Sequence, residues 1–284
     1  TSFQKEVVNM QRNSVFDYMK GMVANYFFYY QFTHQKLSEN ISSLQNCGDD
    51  LDLFYAVSRL KIACEMANRK NLMSLKYNLQ ALPAVIELSN SVELSNHPLL
   101  QLYIGVYELI ANQKDHIFDK IDKMLENHIR NINVEELHTI LSYLHNYSTT
   151  KIRKSDEKYW NMTHKLNKFS VIHELFIKSG EMSTSQFINI IQAACKVKDF
   201  TWAMLFINTH QHILNKNEKK NAVNLAEAIM LFEQKQYYKT IKSLETVSPI
   251  NLYQDIRLRS MKLVSYFELI DSEIDIVGLC FAFE

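Results

Sequence analysis

Active sites and metal sites have recognisable residue patterns, and this chain carries only fragments of them. The phosphate-binding patterns G-x-x-x-x-G-K-[ST] and G-x-G-x-x-G and the nucleophile pattern G-x-S-x-G do not occur, because the five glycines are isolated from one another. His173 and Glu174 begin like the zinc motif H-E-x-x-H, but Ile177 stands where the second histidine belongs. The sequence therefore predicts no catalytic residue, and we expect the protein not to be an enzyme.

Histidines elsewhere give weak indications of metal binding. Glu135 and His138 form one Glu-x-x-His pair, whereas a di-iron bundle needs two such pairs and two further glutamates. His138 and His145 share a predicted helix face, and His210 and His212 fall near a helix end, where histidines at a surface or an interface are the simpler interpretation. No metal, cofactor or specific binding residue is predicted.

Basic residues gather at two predicted connections between helices. Aromatic residues that would stack on bases are not interleaved with them. Because Lys+Arg and Asp+Glu are 31 each, no net charge attracts nucleic acid or an anionic membrane, and we expect neither as a partner. The two basic groups are Lys151, Arg153, Lys154 and Lys158, and Lys216, Lys219 and Lys220.

Composition predicts the class of fold. The chain is 47% hydrophobic and 22% charged, which is typical of globular proteins, and its 5 Gly and 3 Pro are too few for a β-rich or α/β chain of 284 residues. The densest apolar runs, 26–30 and 202–207, are far shorter than the roughly 18 residues of a membrane span. We predict an all-α protein that is cytoplasmic and not in a membrane. A leader or an upstream region before Thr1 is left open.

The four cysteines, Cys47, Cys64, Cys195 and Cys280, are far apart, and each lies in or beside an apolar segment. Disulfide and metal frameworks have closer spacings. The spacing favours buried free thiols.

A repeated motif between Ser183 and Val247 predicts the architecture. An acid or amide, an aromatic residue, a small residue and two aliphatic residues recur after 37 residues, close to the tetratricopeptide period of about 34. Such periods mark stacked helical hairpins. The two copies are Asp199, Phe200, Ala203, Met204 and Ile207, and Gln236, Tyr237, Thr240, Ile241 and Leu244.

Local signals place the helix ends. Asn133, Ser183 and Asp199 are predicted N-caps, with Glu136 and Gln186 completing two capping boxes. His97-Pro98 predicts another helix start. Gly48, Asp49 and Asp50 predict that one helix stops and the next begins at 47–50.

Apolar residues predict buried faces on two further helices. Residues 26–30, YFFYY, form an aromatic run too continuous for a helix that buries one face, so we expect that helix to be sandwiched. Trp202, Leu205 and Phe206 give the helix after Asp199 a second apolar face, which we also expect to be buried.

Short connections and the lack of a linker predict one continuous domain over 1–284. Connections of two to six residues make consecutive helices antiparallel. The predicted fold is a right-handed α-α superhelix, a solenoid of stacked antiparallel hairpins with degenerate tetratricopeptide-like repeats.

Four segments carry a resemblance to an uncharacterised tetratricopeptide-like family of Bacteroidetes bacteria, over roughly 50–280. The resemblance implies the fold and a bacterial intracellular setting, and it brings no activity with it. Ala228, Leu231, Tyr237 and Leu244 match the general repeat, whereas Glu227 and Thr240 depart from it. The segments are LDLFYAVSRLKIACEMANRKNL, FINIIQAACKVKDFTWAMLFINTHQHIL, NLAEAIMLFEQKQYYKTIKSLETV and IRLRSMKLVSYFELID.

The expected function is that of a protein–protein interaction scaffold that holds a peptide or a partner helix, as a monomer or weak homodimer. The alternative is a helical ligand-binding or regulatory domain attached to a missing N-terminal module. The almost wholly apolar Ile274–Phe283 is expected either to cap the last hairpin, against Leu263, Val264 and Phe267, or to dock on another chain.

Overall fold

The computed structural model describes residues 12–31, 41–73, 75–91, 94–154, 156–176 and 181–269. These residues are mainly helical, and no strand occurs among them; Met182 and Leu214 form an isolated bridge. The predicted all-α class is therefore confirmed. In the described ranges the α-helices are α1 (Val15–Gln31), α2 (Ile41–Met73), α3 (Leu82–Ser89), α4 (Pro98–Asn112), α5 (Phe118–His128), α6 (Val134–Ile152), α7 (Tyr159–Ile172), α8 (Thr184–Lys196), α9 (Phe200–His210), α10 (Lys216–Glu233), α11 (Tyr237–Leu244) and α12 (Leu252–Leu269).

Packing divides the chain into two compact units, Thr1–Lys154 and Ser155–Glu284. Helices α1 to α6 belong to the first unit, and α7 to α12 belong to the second. The single domain over 1–284 stays a prediction.

The long helix α2 is the centre of the first unit. It packs against α1, α3, α4 and α6, and α4 packs in turn against α5 and α6. Leu60 and Cys64 from α2 and Val106 from α4 are buried in the core. A Cβ atom on Gly105 of α4 would lie 3.1 Å from Cγ1 of Ile121, so the glycine lets α4 and α5 approach closely.

The predicted break at 47–50 is wrong, because α2 continues through it. Asp50 is not an N-cap. Its carboxylate is buried and accepts hydrogen bonds from the Arg12 guanidinium at 3.2 and 3.0 Å and from Asn25 Nδ2 at 3.2 Å. Helical glycine costs only about 1 kcal/mol, so these contacts between segments override the local signal at Gly48.

Most predicted helix starts are confirmed. Helix α4 begins at Pro98, and side-chain oxygens of Asn133, Ser183 and Asp199 accept bonds from the first turns of α6, α8 and α9. Helix α7 ends at Ile172. The chain leaves it through Glu174, whose φ of 54° lies in the left-handed region.

The second unit contains a repeated hairpin. Helix α8 packs against α9 and α10, α10 packs against α11, and α11 packs against α12. Lys198 and Lys235 occupy the same turn position, with φ of 63° and 60°. The amides that follow them, on Asp199 and Gln236, donate to carbonyls five residues earlier, each at 2.9 Å. The 37-residue offset seen in the sequence is therefore also an offset between equivalent turns.

The small positions of the motif are buried as expected, but the second face of α9 is not. Ala203 and Thr240 are both fully buried, and so are the aliphatic Ile207 and Leu244 nearby. Leu205 is exposed, so the prediction of a second wholly buried face on α9 is wrong. Met204, an aliphatic position of the motif, is exposed as well. The predicted cap Ile274–Phe283 lies outside the described residues.

Ala203 and Ala228 have no exposed surface, so a larger side chain at either position has no room. We expect Ala203→Phe and Ala228→Phe each to lower the free energy of unfolding by about 1–3 kcal/mol through overpacking. Urea denaturation followed by tryptophan fluorescence measures this, because both tryptophans, Trp160 and Trp202, belong to the second unit. Leu205→Phe, at an exposed site of α9, is the control. Unchanged stability in both alanine variants would contradict the packing.

Candidate functional site

The histidines and glutamate considered as metal ligands are not brought together into a metal site. Glu135 is exposed in the first turn of α6, with its amide bonded to Asn133 Oδ1 at 2.8 Å. His138 and His145 lie on the same helix, where burial lowers the pKa of His145 to about 4. Among the described residues, no group of three or more His, Cys, Asp or Glu side chains is placed to hold a metal ion.

The remaining candidate histidines contact aromatic rings. The His173 ring lies 4.6 Å from Phe169, at the end of α7. The His210 ring stacks on Phe206 at 4.6 Å, and burial lowers the pKa of His210. His212 is exposed in a short 3-10 turn. These are packing and surface positions.

The two basic groups do not form a concentrated cationic surface. Lys151 donates to Gln113 Oε1 at 2.8 Å and lies over the Tyr147 ring, and Lys158 pairs with Asp156 at 3.5 Å. The second group occupies the first turns of α10, beside Glu218. Lys158 therefore has a counter-ion, and Lys151 has a polar and an aromatic partner.

Cysteines in the described residues are free thiols. Cys64 and Cys195 are buried, which raises the pKa of both and brings that of Cys195 to about 12. Cys47 is partly buried, and Cys280 lies outside the described residues. The expectation of free thiols is confirmed for these three, and burial for two of them.

The first unit contains a buried ionic cluster that sequence analysis missed. Glu136, predicted to complete a capping box, is 2% exposed instead. Its carboxylate accepts from Lys61 Nζ at 2.9 Å on both oxygens, and it accepts a short hydrogen bond from the Tyr103 hydroxyl. The cluster joins α6 to α2 and α4. In the local sequence, the only sign of this cluster is the pair Glu135 and Glu136 at the start of α6. The pair does not show which of the two glutamates is buried.

Buried polar side chains also fix α1 against α2. A Cβ atom on Gly21 would lie 2.4 Å from Asp50 Oδ2 and 2.5 Å from Arg12 Nη2. Glycine at this position of α1 therefore leaves the space that the ion pair occupies.

In the second unit, the carboxylate of Asp199 likewise accepts a hydrogen bond from a side chain of another helix. Besides capping α9, it accepts from Lys168 Nζ at 2.6 Å and lies 3.0 Å from His164 Nε2, both on α7. The Lys168 and His164 contacts lower the pKa of Asp199 to about 2, while burial lowers that of His164. Nδ1 of His164 is buried without a hydrogen-bond partner. The cluster joins α7 to the turn before α9.

The outer face of α1 is the least expected feature. The predicted sandwiching of this helix is wrong for Tyr26, Phe27 and Tyr30, whose side chains are 49–61% exposed. Lys20 is the one charged residue among the exposed side chains of α1. The exposed apolar side chains are Phe16 (61%), Val23 (42%), Tyr26 (49%), Phe27 (61%) and Tyr30 (52%).

Five of these exposed positions follow heptad spacing. Phe16, Lys20, Val23, Phe27 and Tyr30 are separated by four, three, four and three residues, the spacing of the contact seam of a coiled coil. We call these five residues the α1 seam. Its three rings and the neighbouring ring of Tyr26, all about half exposed, present roughly 400 Å², comparable to the largest apolar patch of a typical monomer. Such a surface is a candidate binding site for another helix.

Helix α2 carries a second, sparser stripe. Leu44, Leu51, Tyr55 and Ile62 are exposed and lie within one narrow arc of the helix. Gly48 and Ser58 stand between them at the positions where the same heptad spacing would need large side chains. The stripe therefore offers less continuous apolar contact than the α1 seam.

A small cleft lies between the C-terminal part of α2 and α4. It has a volume of about 90 Å³ and is lined in part by Met66, Lys70, Asn71, Tyr77 and Tyr107. Small-molecule sites usually enclose about 300–1,000 Å³. This cleft is therefore too small to favour a ligand-binding role.

Glu136 should matter far more to stability than its exposed neighbour. We expect Glu136→Ala to lower the free energy of unfolding by about 2–3 kcal/mol, because Lys61 and Tyr103 lose a buried partner, although Lys61 is one-third exposed and regains some water. Glu135→Ala, the control, should cost less than about 1 kcal/mol. Urea denaturation followed by circular dichroism is the measurement. Equal effects of the two substitutions would contradict a structural role for the cluster.

The second unit should lose stability in mild acid. Because burial lowers the pKa of folded His164, the unfolded chain binds the proton first. The associated stability is complete above about pH 6.5 and is lost as pH falls through the folded pKa. Tryptophan-detected urea denaturation at about pH 7 and about pH 5 should show the loss, and His164→Asn should reduce it. His212→Asn, at an exposed site, is the control. An identical loss in the His164 variant would contradict the assignment.

Asp199 adds a second acid-dependent loss at lower pH. Its stabilisation is complete above about 3.8 and is lost as pH falls towards about 2.

In the described helices no segment is long and apolar enough to cross a membrane. Comparison of the chain with models of protein families, with curated proteins and with solved structures returned no match in any of the three. The resemblance to a tetratricopeptide-like family therefore stays a prediction based on the residues quoted for it.

Proposed function

We propose that this protein is a cytoplasmic interaction scaffold of tetratricopeptide-like helical hairpins, without catalytic activity, that binds a helix of a protein partner through the α1 seam. The observation that carries the proposal is the exposure of Phe16, Val23, Phe27 and Tyr30 along one side of α1. An amphipathic helix that places apolar residues at matching intervals would bury these rings.

Two other features support the scaffold. The equivalent turns at Lys198 and Lys235 and the packing of α8 on α10 fit stacked hairpins, the unit from which a right-handed superhelix is built. The neutral net charge and the scarcity of exposed charge on α1 favour an apolar protein surface over nucleic acid as the partner.

The alternative is a ligand-binding or regulatory domain, for which the cleft beside Tyr107 is the candidate site among the described residues. Because this cleft is small, we rank the ligand-binding function second.

Affinity purification from the cells of origin tests the scaffold with two matched variants. The first, Phe16→Asp with Phe27→Asp, places charge on the seam, and the second, Tyr238→Asp, does so at a similarly exposed ring of α11. We expect a protein retained by the original chain and by the Tyr238 variant to be lost from the seam variant. Hydrogen exchange should then show protection of α1 by that protein. Equal retention by all three chains would contradict the proposed surface.

A further inference from the structure

The residues of the α1 seam are suited to contact a copy of themselves. Val23 is the middle of the five positions. Phe16 and Tyr30 lie seven residues before and after it, and Lys20 and Phe27 lie three residues before and four residues after it. A two-fold axis through Val23 would place Phe16 of one copy opposite Tyr30 of the other, and Val23 opposite itself. Both ends of such a contact would be aromatic.

Charge selects the direction of pairing. In a parallel pair, Lys20 would face its own copy in the seam, and two desolvated like charges repel. In an antiparallel pair, Lys20 would lie opposite Tyr26 and Phe27, whose rings attract an ammonium group. The neighbouring Asp17, 3.9 Å from Lys20, would face Tyr29 instead of a second carboxylate.

We propose that the α1 seam binds the α1 seam of a second copy of this chain, with the two helices antiparallel about Val23. The proposal rests on the proposed function, since it names the partner of that surface.

The area of the contact sets its strength. Roughly 400 Å² from each copy gives about 800 Å² in total, below the 1,200–2,000 Å² of stable complexes. The dimer is therefore weak and exchanging, with a Kd on the order of 10–100 µM.

Sedimentation velocity of the full chain over a hundredfold concentration range around this Kd is the first test. The average mass should rise from monomer towards dimer. Val23→Glu should weaken dimerisation by more than about tenfold, because two carboxylates would be buried against each other. Ile62→Glu, at a residue 44% exposed on α2 against 42% for Val23, is the matched control and should leave dimerisation unchanged.

Cross-linking tests the geometry in chains whose Cys47 and Cys280 are replaced by serine. A Val23→Cys chain should form a disulfide with its own copy under mild oxidation. A mixture of Phe16→Cys and Tyr30→Cys chains should form the mixed disulfide in preference to either symmetric one. Preferred symmetric disulfides would indicate parallel helices and would overturn the proposal.

The remaining outcomes separate this proposal from the proposed function. A chain that stays monomeric throughout, or a dimer weakened by Ile62→Glu and not by Val23→Glu, rules out the second copy on the α1 seam. In either case, the affinity purification decides about the scaffold. If the Phe16→Asp with Phe27→Asp variant loses a host protein that the original chain retains, the scaffold function stands with another partner. If that variant loses no host protein, both proposals fail. Should Val23→Glu unfold the chain, the disulfide results alone decide.

Discussion

The carboxylate of Glu136 is the group on which the arrangement of the first unit depends. Removing a charge from water costs several kcal/mol unless donors replace the lost hydration. Here the donors, Lys61 and Tyr103, come from α2 and α4, whereas the carboxylate belongs to α6. Apolar contacts alone would tolerate small shifts of one helix along another. The cluster is satisfied only when the three helices are in register, so we infer that it specifies their relative position.

The second unit uses a carboxylate differently. Asp199 caps α9 through the Trp202 amide and also accepts from Lys168 on α7. One side chain therefore links the local geometry of a turn to the packing of a preceding helix. The partner residues lie more than thirty positions away in the chain, so local sequence shows the cap and hides the contact.

These examples show what the sequence could predict. Helix starts at Pro98, Asn133 and Ser183 depend on residues next to them, and they were predicted correctly. The continuity of α2 through Gly48 and the burial of Glu136 depend on partners from other segments, so local signals gave the wrong result. The aromatic run of α1 was recognised, but its exposure was not, because sequence does not say whether a neighbouring helix covers a face.

The turns at Lys198 and Lys235 have a consequence for which side chains the hairpins tolerate. Each is held by bonds between main-chain atoms and reaches the left-handed region without glycine. The geometry of the turn is therefore set by the backbone, while the side chains beside it differ: Val197 and Asp199 in one hairpin, Gln234 and Gln236 in the other. Two hairpins with the same turn can therefore present different surface chemistries.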